Sequence, residues 1–177
     1  MQQIPELSRP KVQPSLHSWI LYLVNNIIYV DPTVRTWSSS NQGGNGGRPF
    51  DDFHSDRRVV TEIRIWGDRY IDAIQVVYNE SIVAPKHGGN GGQSYTFFLD
   101  NNEKIVRIDG RGSKFIDQLQ FFTNKGDFFW HFDSPALFSD IGCYTGRSSP
   151  AYGGTGGNPF SWDPPQGYHF RYFTGKR

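Results

Sequence analysis

The string Gly-Gly-Xaa-Gly-Gly occurs three times in this chain, at 43–47, 88–92 and 153–157. In each copy an aromatic residue stands seven positions after the first glycine: Phe50, Tyr95 and Phe160. A second motif runs in phase with the first. Residues 67–74, Gly-Asp-Arg-Tyr-Ile-Asp-Ala-Ile, match residues 112–119, Gly-Ser-Lys-Phe-Ile-Asp-Gln-Leu. Asp72 follows Gly43 by 29 residues and Asp117 follows Gly88 by 29, so the unit is 45 residues long. A fixed period of this length signals a structure built from one supersecondary element used repeatedly, with the core formed where the copies meet.

Within each unit the segments read as strands. Val59 to Trp66, Ile74 to Tyr78, Tyr95 to Leu99 and Leu119 to Thr123 are rich in β-branched and aromatic residues, which suit a pleated surface buried on one side. Turn residues bound each run, and no window carries a convincing 3.6-residue apolar period. The prediction is an all-β fold.

The copies are unequal. Gly88 to Gly153 spans 65 residues, so about 20 extra residues fall between Asn124 and Tyr152, in a stretch rich in Ser, Pro and Gly. The last unit stops early: its aspartate would fall at 182, beyond Arg177. Gly175 still matches Gly110 in register. The expected organisation is a flexible segment over 1–15 and one domain over 16–177, with units at about 42–86, 87–151 and 152–177. Part of 16–41, above all Trp19 to Val30, is expected to supply the strand that the shortened last unit lacks.

Composition removes several function classes. With 18 Lys plus Arg against 17 Asp plus Glu, no charge bias points to nucleic acid or to an anionic membrane. The longest apolar stretch, Trp19 to Val30, is interrupted by Asn25 and Asn26 and is too short to cross a bilayer as a helix. The polar, proline-containing start argues against a cleaved signal, so a cytoplasmic location is expected, with another route of secretion left open. Cys143 is the single cysteine; it can form no internal disulfide, and no Cys/His spacing suits zinc. The five histidines, at 17, 54, 87, 131 and 169, show no ligand spacing, and Trp37, Trp130 and Trp162 read as core. No cofactor and no metal are expected.

The Gly-Gly turns and the Asp-bearing turns resemble the hallmark turns of the jacalin-related lectins, in particular the mannose-binding branch. Leu119-Gln120-Phe121-Phe122-Thr123-Asn124 also looks like a strand of that family, and the resemblance covers roughly residues 42–177. It implies a β-prism I: three four-stranded Greek-key sheets about a pseudo-threefold axis. It also implies that each sugar site joins the Asp-bearing turn of one unit to the Gly-Gly turn of the next. One site would then combine Asp68, Arg69, Tyr70 and Asp72 with Gly92. A second would combine Ser113, Lys114, Phe115 and Asp117 with Gly157. The turn ending at Gly47 would need an aspartate turn that the sequence does not show.

The chemistry is coherent on its own terms. An ionised carboxylate offers two acceptor oxygens to the adjacent hydroxyls of a hexose. A glycine turn bares backbone N–H groups as donors and, lacking Cβ, lets a sugar approach closely. The partners implied are glycans and glycoproteins containing mannose or glucose, with homo-oligomerisation as a route to multivalency. Plainer readings stand beside these. Glycine pairs can serve only to turn the chain, Asp72 and Asp117 can cap turns, and Arg69 and Lys114 can be solvated charges. Two rival functions remain. A glycosidase would need an asymmetric carboxylate pair flanking one bond, whereas these aspartates repeat with the fold. An interaction module would have the prism but decayed sugar sites.

Overall fold

The computed structural model describes residues 22–23, 27–30, 35–54, 58–126 and 146–176. The expected flexible segment at 1–15, His17, Trp130, His131, Cys143 and most of the insertion lie outside them. The described residues form fifteen strands and no helix. They are β1 (Tyr22–Leu23), β2 (Ile27–Val30), β3 (Arg35–Ser38), β4 (Pro49–Asp51), β5 (Val60–Gly67), β6 (Ile71–Tyr78), β7 (Ile82–Val83) and β8 (His87–Gly88). There follow β9 (Gln93–Phe98), β10 (Ile105–Gly112), β11 (Ile116–Thr123), β12 (Tyr152–Gly153), β13 (Asn158–Trp162), β14 (Phe170–Tyr172) and β15 (Thr174–Lys176).

Two sheets are near copies. In the first, the hairpin β5–β6 is flanked by β9 on one side and by β7 and β8 on the other. In the second, the hairpin β10–β11 is flanked by β13 and β12. All pairings are antiparallel. The alternation of β5 turns Ile63 and Ile65 inward and Glu62, Arg64 and Trp66 outward; β10 repeats the same burial pattern. Both hairpins break register at equivalent places, between Trp66 and Gly67 and between Arg111 and Gly112. A bulge at the end of a hairpin increases the local twist and re-aims the residues that follow, here those of the Asp-bearing turns.

The third sheet is assembled from both ends of the described chain. Tyr22 and Leu23 pair with Lys176 and Gly175, and β15 pairs with β4 on its other side. Farther along, β2 pairs with β14 and with β3. These are two three-stranded ladders, β1-β15-β4 and β14-β2-β3, consecutive in the chain from β14 to β15, and taken together they follow the order of the other two sheets. The inner faces of the three meet in one core of Ile63, Ile65, Ile74, Ile108, Leu119, Phe121, Trp162, Phe170 and Tyr172, all nearly excluded from solvent. Each large apolar side chain so buried stabilises the fold by roughly 1.5–3 kcal/mol.

The sheets and the 45-residue units are offset. The loop 88–92 leaves β8, beside β6, and enters β9, beside β5, so it spans the end of the hairpin that bears Asp72. A sheet therefore takes its hairpin from one sequence unit and its outer strand from the next.

Candidate functional site

Asp72 and Asp117 are the second residues of β6 and β11. They are held by the strand ladders, not by mobile turn tips. The turns before them are tight: the N–H of Asp68 donates to the carbonyl of Tyr70 (3.2 Å), and that of Ser113 to the carbonyl of Phe115 (2.9 Å). The backbone carbonyl of each aspartate accepts from a Gly-Gly loop, Gly89 N–H to Asp72 (2.8 Å) and Gly154 N–H to Asp117 (2.9 Å). Each loop is thus tied to the strand whose carboxylate it faces.

The carboxylates lie against bare glycine backbone. A Cβ built on Gly92 would stand 2.6 Å from Asp72 Oδ2, and one on Gly157 the same distance from Asp117 Oδ2. Both glycines have left-handed φ values, 75° and 62°, which L side chains rarely adopt. Two separate requirements, dihedral and space, therefore select glycine at these positions. Replacing Gly157 by Ala is expected to displace Asp117 and abolish binding at that location, with the Asp72 location intact. Saturation-transfer NMR on Gly157→Ala in an Asp72→Asn background checks this. Sugar signals persisting at wild-type strength would show that the close approach does not matter.

Burial is the first cause raising the proton affinity of both carboxyls. At Asp72 the neighbouring Asp68 adds to the effect while Lys86 opposes it; at Asp117, Arg111 and Arg69 oppose it. Asp117 Oδ2 is buried with no hydrogen-bond partner in the protein. A buried carboxylate oxygen without a donor is costly, so burial favours the protonated form of this group.

The remaining predicted residues cluster around these two points. Tyr70 and Phe115 pack edge to face at 5.7 Å, so the two Asp-bearing turns adjoin at one end of the prism. The Arg69 guanidinium lies 5.5 Å over Tyr70, and the Lys114 ammonium 5.5 Å over Phe115. The backbone carbonyl of Arg69 crowds Gly154, where a Cβ would come within 2.5 Å of it. Asp68, Arg69, Ser113 and Lys114 are exposed.

One residue was not singled out from sequence. Arg111 donates from Nε to the carbonyl of Gly156 and from Nη2 to that of Gly157, each at 2.9 Å. In the third sheet Lys176 plays a related part, donating to the carbonyl of Asn45 at 3.1 Å. The signal was present: a basic residue follows both Gly110 and Gly175. In the first sheet Trp66 stands at this position, with the Lys86 ammonium 4.0 Å over its ring. Gly47 has the φ of its counterparts, 88°. Asp72 precedes Ala73 and Asp117 precedes Gln118, but the residue before their counterpart Tyr22 is Leu21. The turn at Gly47 has no matching carboxylate in the sequence.

Other polar candidates have structural partners. His87 Nε2 is hydrogen-bonded to Asp52 Oδ1 at 2.7 Å, and its ring stacks on Phe50 at 3.7 Å. Trp162 is buried and Trp37 packs against the core. Among the described residues no group of three or more His, Cys, Asp or Glu is placed to hold a metal ion.

A family model of the jacalin-like lectin domain matches residues 39–135, over half of the chain. No curated protein sequence matches. Among solved structures, a mannose-binding jacalin-related lectin from Ananas comosus is 26% identical. It aligns over 76% of this chain and 91% of its own, with a TM-score of 0.52. A prostate-specific glycoprotein lectin is also 26% identical, over 75% of this chain and 89% of its own, with the same TM-score. Malaysian banana lectin, at 21% identity, 80% and 94% coverage and a TM-score of 0.52, shares the fold. The expected β-prism is thus the fold observed, and the chain belongs to the jacalin-like lectin family, as a carbohydrate-binding protein and not an enzyme.

Proposed function

We propose that this lectin recognises mannose- or glucose-type glycans, without a metal, through two sites. One comprises Asp72 with Gly92 and the 68–70 turn; the other comprises Asp117 with Gly157 and the 113–115 turn. The observation that carries the reading is the doubled placement of a partly or wholly buried carboxylate against the bare backbone of a Gly-Gly turn. The carboxylate accepts from two sugar hydroxyls, and N–H groups of the glycine turn and of the Asp-bearing turn donate to sugar oxygens. The Ananas comosus relative is described as mannose-binding, which favours the same class here. Gly47, without a carboxylate partner, adds no third site in this reading.

Each site is shallow and exchanges its hydrogen bonds against water, so a dissociation constant near 1 mM, about −4 kcal/mol, is expected for a monosaccharide. A glycan array competed with free mannose, and repeated in EDTA, tests the proposal. Elution by galactose but not mannose would overturn the specificity, and loss of binding in EDTA would overturn the metal-free chemistry.

The proton affinities give a pH dependence. Sugar hydroxyls donate to the ionised carboxylates, and burial makes both carboxyls take up a proton at higher pH than an ordinary aspartate. Affinity should fall on acidification, starting above the usual aspartate range, and approach tenfold per pH unit per site once the carboxyl is protonated. Stability has the opposite sign. A group whose folded affinity for a proton exceeds its unfolded one destabilises the fold as pH rises through that interval, so the unliganded protein gains from protonation what the ligand loses. Titration calorimetry from pH 7 to pH 4 checks this; affinity that is flat to pH 4 would remove the carboxylates from the site.

A further inference from the structure

The three Gly-Gly loops differ at their central residue, which is Asn45, Asn90 and Thr155 in turn. In the first two an asparagine precedes a glycine, a pairing with its own covalent chemistry. The backbone nitrogen of the glycine attacks the side-chain amide carbon of the asparagine, a C–N bond forms, and ammonia leaves. Water then opens the resulting succinimide at either carbonyl, giving aspartate or isoaspartate. One amide and one water are consumed, one carboxylate and one ammonium are released, and no oxidation state changes. Glycine favours the attack because no Cβ shields its nitrogen and its backbone is free to adopt the dihedrals of ring closure. Threonine has no side-chain amide and no such path.

The structure leaves one of the two asparagine loops free to react. Asn90, Gly91 and Gly92 are exposed, and the loop is fastened near its start, where the Gly89 N–H donates to the Asp72 carbonyl at 2.8 Å. Among the described residues neither the Asn90 side chain nor the Gly91 N–H makes a hydrogen bond. The other two loops are clamped from the side. Arg111 holds the carbonyls of Gly156 and Gly157, Gln118 holds that of Gly154 at 3.2 Å, and Lys176 holds that of Asn45 itself. In the first sheet Trp66 and Ala73 stand at the positions of Arg111 and Gln118, and neither side chain is hydrogen-bonded to the loop.

Conversion at residue 90 bears on the carboxylate beside it. A Cβ on Gly91 would stand 3.2 Å from Asp72 Oδ1, and one on Gly92 2.6 Å from Oδ2, so both glycines lie against Asp72. Isoaspartate routes the main chain through the former side chain and lengthens it by one methylene. The strand ladders of β8 and β9 fix both ends of the loop, so the added length displaces Gly91 and Gly92, the donors of the proposed site. The new negative charge also favours the protonated form of Asp72.

We propose that Asn90 is a site of spontaneous deamidation whose isoaspartate product silences the Asp72 site, while the Asp117 site, with Thr155 in its loop, persists. The lectin thereby passes with age from two sites to one and loses the avidity that a branched glycan gives it. The inference rests on the proposed role of Asp72.

Ageing the whole protein in mildly alkaline buffer tests this, with isoaspartate located by peptide mapping and methyltransferase labelling. Isoaspartate should accumulate at residue 90 faster than at residue 45, and Asn90→Thr should show none at 90. Saturation-transfer NMR with methyl α-mannoside follows binding in two backgrounds. In Asp117→Asn, which isolates the Asp72 site, binding should fall in step with isoaspartate at 90. The converted protein should bind about tenfold more weakly, equivalent to about two net hydrogen bonds. Adding Asn90→Thr should preserve binding through ageing, and Asn90→Gln serves if Asn90→Thr binds poorly at the outset. In Asp72→Asn the same treatment should leave affinity unchanged. Thermal melts verify that the aged protein stays folded. An Asn90 that converts no faster than Asn45 overturns the modification site, and conversion without loss of binding overturns its effect. Absence of sugar binding in Asp117→Asn before ageing overturns both the Asp72 site and its silencing.

Discussion

The double variant Asp72→Asn, Asp117→Asn is expected to lose retention on a mannan surface while keeping its fold. Asparagine matches aspartate in shape but replaces a charged acceptor with one neutral acceptor and one donor. Removing a charge-assisted acceptor from each contact set weakens each site by roughly 1.5–3 kcal/mol. Starting from millimolar affinity, that loss leaves no measurable monosaccharide binding. The two turns adjoin through Tyr70 and Phe115, so a branched glycan reaching both sites gains on the order of 10²–10⁴ in avidity, and the double variant forfeits all of it. Each single variant should lose the avidity but keep monosaccharide binding at the other site. The fold should survive because burial already disfavours the charged form of both carboxyls, so the neutral amide removes an unfavourable term. Surface plasmon resonance on mannan, with circular dichroism as the folding check, decides the matter. A folded double variant still held by mannan would move recognition elsewhere, with the turn at Gly47 the first place to look.

The second large effect concerns stability. Trp162→Ala should destabilise the protein by roughly 3–5 kcal/mol, the usual cost of emptying a large buried aromatic site. Trp162 is 1% exposed, packs at 4.8 Å on Phe160, and donates its indole N–H to the carbonyl of Ser40 at 2.9 Å. It therefore fastens the second sheet to the segment leading into the loop at Gly47. Truncation leaves both a cavity and an unmet carbonyl. For a domain of this size the melting temperature should fall by roughly 6–20 °C. Phe98→Ala, at a position 62% exposed, is the control and should change stability by no more than about 0.5 kcal/mol. Equal effects from the two substitutions would show that Trp162 is not a core residue in solution.

Strands and hairpin turns were legible because their signals are local. The predicted runs at Val59 to Trp66 and Ile74 to Tyr78 correspond to Val60–Gly67 and Ile71–Tyr78. The second strand begins three residues earlier than predicted, because the bulge after Trp66 lets pairing resume at Ile71, directly after the turn. That extension places Asp72 and Asp117 on strands, although both read as turn residues in sequence. The offset between sequence unit and sheet was likewise invisible, since nothing in a repeat says which outer strand a hairpin will recruit. The repeat marks Arg111, since a basic residue follows both Gly110 and Gly175, but its role is not legible in sequence because its bond partners are backbone carbonyls 45 and 46 residues away.

Departures from threefold symmetry needed coordinates most of all. Asp52 occupies the place of Phe97 and Trp162, seven-residue spacing from each Gly-Gly loop having fixed the neighbouring Phe50, Tyr95 and Phe160. Where those two positions are apolar core, Asp52 is instead paired with His87, and each side chain is 5% exposed. The sequence by itself determined the all-β class, the repeat, the positions of the two Asp-bearing turns and the glycine loops that face them. Those follow from residue chemistry acting over a few bonds: glycine where φ is left-handed, alternation where a strand has one buried side. Only the tertiary structure decided which carboxylate is buried, what grips each loop and how the chain ends complete a sheet. These depend on contacts between residues far apart in the chain, whose energies are set by packing and desolvation once the three sheets have met.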